Sequence, residues 1–276
     1  MKAAHESAFN VSAAPLPIVF IFGPFDPSGS TGLPADAVTC AELGCHAVGT
    51  LTGVLVQDTA AVEHLEPISP ELMDDQARCL LEDMPAHAIK VGPLYTTETV
   101  SVLAQITADY SNVPVVVHLQ RLPGAAMMED ELDAEDTQAA MLELVLPQTD
   151  LVVTDHTLLQ QWQSHGALPG QTPDHAINAL LEYGASAVLV SGVPGSGKNR
   201  DYLLVDENGE AARWEVEVSE PVLDSDGLLA TVVACELAHG REMSQAIERG
   251  IVFVTSMATR SFKPGMGGRI FNRSHS

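Results

Sequence analysis

Ile18-Val19-Phe20-Ile21-Phe22-Gly23-Pro24-Phe25-Asp26-Pro27-Ser28-Gly29-Ser30-Thr31-Gly32 is the stretch on which the architecture turns. Its apolar opening, unbroken by polar residues, reads as a strand covered on both faces. The Gly/Ser-rich turn that follows lets a ligand come close to the backbone, and the segment 33–43 has helical character. The same alternation recurs along the chain. Apolar runs at 88–91, 113–117, 151–153 and 187–190 read as strands, and 70–81, 97–108, 137–146 and 174–183 as helices. Strands alternating with helices predict an α/β fold, a mostly parallel central sheet with helices on both faces.

The last third departs from that rhythm. Residues 201–205 and 212–218 flank Glu207-Asn208-Gly209-Glu210, a hairpin signal, and helical runs follow at 228–237 and 243–259. No linker or repeat interrupts the chain, so residues 1–276 are expected to form a single domain, with 1–15 a flexible N-terminus.

Acidic residues outnumber basic ones by 37 to 13, a formal charge of −24. Such a field repels nucleic acid phosphates and anionic lipid headgroups, so neither is an expected partner. The run 18–22 is too short to span a membrane and the N-terminus lacks a signal-peptide pattern, which predicts a cytoplasmic protein. Cys40, Cys45, Cys79 and Cys235 have no zinc spacing, and the histidines form no HExxH pair, so no metal centre is expected. Cys40 and Cys45, at a helix end, read as small buried thiols.

Gly192-Val193-Pro194-Gly195-Ser196-Gly197-Lys198 satisfies GxxxxGK, but Asn199 stands where the magnesium hydroxyl belongs. The strand-like residues beyond it leave no helix N-terminus to hold a phosphate, so a flap over the crevice is expected instead.

In open α/β sheets ligands bind beyond the carboxyl ends of the strands. There, Asp26-Pro27-Ser28-Gly29-x-x-Gly32-x-x-Ala35-Asp36, Leu43-Gly44-Cys45-His46-Ala47, Val56-Gln57-Asp58-Thr59 and Lys90-Val91-Gly92 resemble the hydroxymethylpyrimidine / phosphomethylpyrimidine kinases of thiamine biosynthesis, which are ribokinase-superfamily enzymes. The resemblance implies a ribokinase-like fold. It also implies a pyrimidine site built from Asp26, Thr31, Gly32, Asp36, Gln57 and Gly92. Gln57 offers donors and an acceptor that match an aminopyrimidine edge.

The phosphate side departs from the family pattern. Where the family has Val-x-Asp-Pro-Val, this chain has Val116-Val117-His118-Leu119-Gln120. Where it has Asn-x-x-Glu, serving magnesium, Asp155-His156-Thr157-Leu158 stands, and Leu158 cannot ligate a hard cation. Asp155 itself could still bind a cation, and His118 could replace an acceptor. The Lys-Gly-Gly turn becomes Ser191-Gly192-Val193. The anion hole and proximal base, Gly-Ser/Thr-Gly-Cys in the family, become Asp224, Ser225, Asp226 and Gly227. A carboxylate ~4 Å from a transferring phosphoryl group opposes it by about 4 kcal/mol per charge pair at an effective dielectric of 20.

The expectation is therefore a degenerate family member. It binds a small heterocyclic, pyrimidine-like ligand, has no catalytic residue and no cofactor, and has a homodimer as its candidate assembly. The alternative is an active kinase using Mg and ATP, with Asp226 as base. Lys263 and Arg269, in the Gly-rich segment near the C-terminus, are the cations available to a bound phosphate, and Lys198 would add a third from the flap.

Overall fold

The structure, a computed structural model, describes residues 15–121, 134–196, 199–217 and 220–274. Among them β1 (Ile18–Phe25), β2 (His46–Gln57), β3 (Val62–Pro67), β4 (Ala88–Val91), β5 (Val115–His118), β6 (Leu151–Asp155), β7 (Ala187–Pro194), β8 (Arg200–Asp206) and β9 (Gly209–Val216) form one sheet. The strand order is β3-β2-β1-β4-β5-β6-β7-β8-β9. The pairings from β2 through β1 to β7 are parallel; those of β3, β8 and β9 are antiparallel.

Alternation along β1 divides the core. Phe20 and Phe22 point to one face, where they join Met73 of α2 (Pro70–Asp83) and Leu103 of α3 (Thr97–Asp109). The same layer holds α4 (Ala134–Ala140), which runs on into a π-helical turn, then α5 (His156–Ser164) and α6 (Pro173–Glu182). Val19 and Ile21 point to the other face, against α7 (Ser225–Ala238) and α8 (Met243–Ala258), with α1 (Gly32–Glu42) alongside. α7 is buried along nearly its whole length, as its apolar sequence demands.

β1 and α1 lead outward to β2, and α2 then carries the chain back across to β4 on the other side of β1. That reversal opens a crevice beyond the ends of β1 and β4. The predicted parallel sheet and hairpin are present. Three elements were not anticipated: the long β2, its antiparallel partner β3 and the helix α5. No helix among the described residues is long and apolar enough to cross a membrane. Residues 1–14 and Lys198 of the flap lie outside the described residues.

Candidate functional site

The turn after β1 is organised by Asp26. Its buried carboxylate accepts from the backbone of Ser28 (2.8 Å), Ser30 (3.1 Å) and Thr31 (2.9 Å), and from the hydroxyls of Ser28 and Ser30 (both 2.9 Å). Burial would push its pKa up, but hydrogen bonds from Ser28, Gln57 and the Thr31 backbone outweigh it and hold the group below the usual carboxylate range. Gly32 is at φ 61, and a Cβ there would stand 2.3 Å from the Pro24 carbonyl oxygen, so only glycine turns the chain into α1. Thr31 precedes that helix without capping it by its side chain.

Asp36, on α1, is buried and saturated. Lys90 Nζ of β4 donates to Oδ2 at 2.7 Å and Thr231 Oγ1 of α7 donates to Oδ1 at 2.6 Å. This three-element junction lies beneath the crevice. His118, at the end of β5, is buried, and burial together with the nearby Lys90 charge pushes its pKa down to about 3, so its ring is neutral.

The start of α7 is the most unusual part of the site. Asp224 precedes the helix at φ 58, alone among the described non-glycine residues in a left-handed conformation. Its carboxylate folds back over the first turn: a Cβ on residue 227 would lie 2.1 Å from Asp224 Oδ1. Gly227 is therefore the residue that makes room for the acid. Burial, reinforced by Asp36 and Asp226 and offset by Lys90 and Arg273, pushes the Asp224 pKa up to about 7. Burial and the Asp155 charge push Asp226 up to about 6, against a hydrogen bond from Ser191.

A cavity of about 490 Å³ opens here. Thr31, Gln57, Asp224, Ser225 and Asp226 line it, together with Thr59 of the β2–β3 turn and His118. The structure thus brings two of the six expected pyrimidine residues, Thr31 and Gln57, to the crevice wall. Asp26, Gly32 and Asp36 lie behind that wall, shaping it. Gly92 faces a neighbouring cavity beyond β4. Asp155 spends one carboxylate oxygen capping α5, accepting from the backbone of Thr157 (2.7 Å) and Leu158 (2.9 Å). No group of three or more His, Cys, Asp and Glu side chains is placed to hold a metal among the described residues. At Gly192–Gly195 the strand β7 runs into a turn closed by Gly195 N to Asn199 O (3.1 Å), and β8 follows instead of a helix.

Arg273 is a neighbour of the site that sequence reasoning missed. It donates to the Ser30 carbonyl (3.3 Å), packs over the Phe271 ring (5.6 Å to its centroid) and neighbours Asp224, Asp36 and Asp26. Arg269 is instead tied to Ser261 and Glu220, and Lys263 is exposed. The segment carrying them straps the crevice mouth. Gly268 N donates to Thr59 O (2.8 Å), Gly267 N to Thr59 Oγ1 (3.2 Å), and Leu223 N to Arg269 O (2.8 Å).

The architecture is ribokinase-like. It superimposes on Bacillus subtilis pyridoxal kinase in an ADP complex with a TM-score of 0.80, at 19% identity, covering 94% of this chain and 98% of that one. A Clostridium difficile phosphomethylpyrimidine kinase superimposes with a TM-score of 0.68 at 20% identity, covering 88% and 99%. In sequence, the hydroxymethylpyrimidine/phosphomethylpyrimidine kinase of Streptomyces coelicolor is 28% identical over 259 residues, 91% of this chain and 92% of that one. The Staphylococcus aureus (strain MSSA476) counterpart is 23% identical over 236 residues, 83% of each. The phosphomethylpyrimidine kinase family model matches residues 26–272, and the chain belongs to that family.

Proposed function

We propose that this family member, one domain over residues 1–276, binds a small pyrimidine-like heterocycle in the cytoplasm and does not transfer phosphate. The observation that carries the reading is the Asp224 carboxylate lying across the first turn of α7. The N–H groups and dipole of a helix N-terminus would otherwise face an anion. Here the Asp224 carboxyl crowds that turn without accepting a capping hydrogen bond from it, and Asp226 adds a second acid. The residues present fit a nucleoside triphosphate with magnesium poorly: Leu158 offers no oxygen, and Asp155 has only the carboxylate oxygen left over from capping α5. Thr31 and Gln57 keep polar groups on the opposite wall for a neutral ring.

One observation favours a second reading. The Asp224 carboxylate fills the space in which a side chain at 227, the family's base position, would sit. With a pKa of about 7 it is suited to take a proton. In that reading the base has moved from 227 to 224, and Asp226 is not it.

Both readings meet one experiment. Calorimetry with hydroxymethylpyrimidine should give a binding isotherm that Gln57→Ala weakens by about 0.5–1.5 kcal/mol, one neutral hydrogen bond. Mg-ATP should give neither heat nor product. Product formation abolished by Asp224→Asn but retained in Asp226→Asn would overturn the binding-only reading and establish the displaced base.

A further inference from the structure

Beyond β4 and β5, on the α4–α5 side, lies a second cavity of about 170 Å³. Its walls are apolar where Leu94, Met141 and Trp162 meet, and the Trp162 ring is almost wholly buried. Gln138 and Gln161 also line the cavity. Gln138 Nε2 on α4 and Gln161 Oε1 on α5 are buried and have no hydrogen-bond partner among the described residues. A buried donor and a buried acceptor left unpaired are costly, and native proteins seldom leave them so without a purpose. His118 closes the wall shared with the crevice as a neutral ring, and the charged Arg121 and Glu135 line the same cavity with exposed side chains. The lining therefore combines apolar side chains with one unpaired donor and one unpaired acceptor, while the ionisable Arg121, Glu135 and His165 stand at its exposed part.

We propose that this cavity is a second ligand site, taking a neutral six-membered heteroaromatic ring with a donor–acceptor edge, such as a primary carboxamide or an amino-azine. The volume suits one ring, since an apolar protein cavity of about 150 Å³ holds benzene. The edge supplies what the glutamines lack: its acceptor takes the Gln138 N–H and its donor gives to Gln161 Oε1. Trp162 provides the aromatic surface against which the ring packs. The site adjoins the crevice across His118 and Gln120 but does not depend on the crevice reading.

Trp162 makes the site observable. The chain has two tryptophans, so Trp214→Phe leaves Trp162 as the sole reporter. Titration of that variant with nicotinamide and with 2-aminopyrimidine should change Trp162 emission saturably, with Kd below about 1 mM. Toluene, which lacks the polar edge, should bind more weakly. Gln138→Leu and Gln161→Leu, near-isosteric and checked for intact thermal melting, should each raise Kd about fivefold, the equivalent of one net hydrogen bond. Gln57→Ala should leave the titration unchanged. Calorimetry on the same variants gives a second readout should either glutamine variant melt early. The proposal is overturned by a flat titration, as from a cavity that is water-filled or occupied by the protein's own chain. Binding indifferent to both glutamine changes, or binding lost on Gln57→Ala, overturns it equally.

Discussion

Lys90→Met is expected to cost about 3–5 kcal/mol of folding stability. Lys90 and Asp36 are both almost fully buried and 2.7 Å apart, between β4 and α1. Removing the ammonium leaves the buried Asp36 carboxylate with the Thr231 hydroxyl as its hydrogen-bond partner and the Arg273 charge nearby, and it strips Asp224 of a favourable neighbour. The pair as a whole need not be stabilising, because desolvating two ions consumes much of their attraction. Lys90→Met combined with Asp36→Leu should accordingly recover most of the loss. Thr231 is not orphaned in that double variant, since its hydroxyl also donates to Gly227 O at 2.9 Å. Urea unfolding at pH 7 tests this. A single-variant loss below about 1 kcal/mol, or a double variant no better than the single, would count against a buried charge pair at the base of the site.

Stability should also fall as the solution is made alkaline through neutrality. Asp224 and Asp226, pushed up to about 7 and about 6 from 3.8, hold their protons more tightly folded than unfolded. A raised carboxyl pKa contributes stability that is complete below about pH 4 and lost as pH rises through 6 and 7. At about 1.36 kcal/mol per pH unit the dry limit is roughly 3–4 kcal/mol a group. Both side chains border an open crevice, and water screening brings the expected cost to about 1–2 kcal/mol each. His118 works in the opposite sense: held near 3 while its unfolded value is 6.5, it withdraws stability as pH falls below 6.5. The clean comparison is therefore between proteins. The Asp224→Asn/Asp226→Asn double variant should be more stable than the parent by about 2–4 kcal/mol at pH 8, with the gap closing towards pH 4.5. A gap that is constant, or that widens in acid, would show that the carboxyls are not the strained groups.

What the sequence revealed and what it hid follow from the range of the forces involved. Strand-helix alternation and the Asn208-Gly209 hairpin are local patterns, and the sheet contains them. β2 escaped because Gly49 and Gly53 break its apolar run. Both glycines are demanded by neighbours far along the chain: a Cβ at 49 would lie 2.4 Å from Ile21 O, and one at 53 would lie 2.9 Å from the Tyr95 ring. α5 escaped because Asp155-His156-Thr157 was weighed as a ligand motif, although an aspartate ahead of Leu158 and Leu159 is equally a cap signal. In the crevice, Gln57 and Thr31 were legible from their motifs. That Asp36 would be saturated by Lys90 and Thr231 was not, because no local rule pairs residues 195 positions apart. Arg273 left no signal at all, being one cation in a polar tail.

Those separations have a consequence for how the molecule is made. Asp36 meets Thr231, Thr59 meets Gly267, and Ser30 meets Arg273 across 195, 208 and 243 residues of chain. Contacts of such span form late and slow folding, since chain closure must precede any reward. During synthesis, a nascent chain that has emerged as far as residue 258 possesses all nine strands and every helix described here, yet no strap across Thr59 and no Arg273 beside Asp224. For that interval Asp224, Asp36 and Asp26 lack the cation that neighbours them in the finished fold, and the crevice mouth stands unstrapped until the last residues have cleared the ribosome.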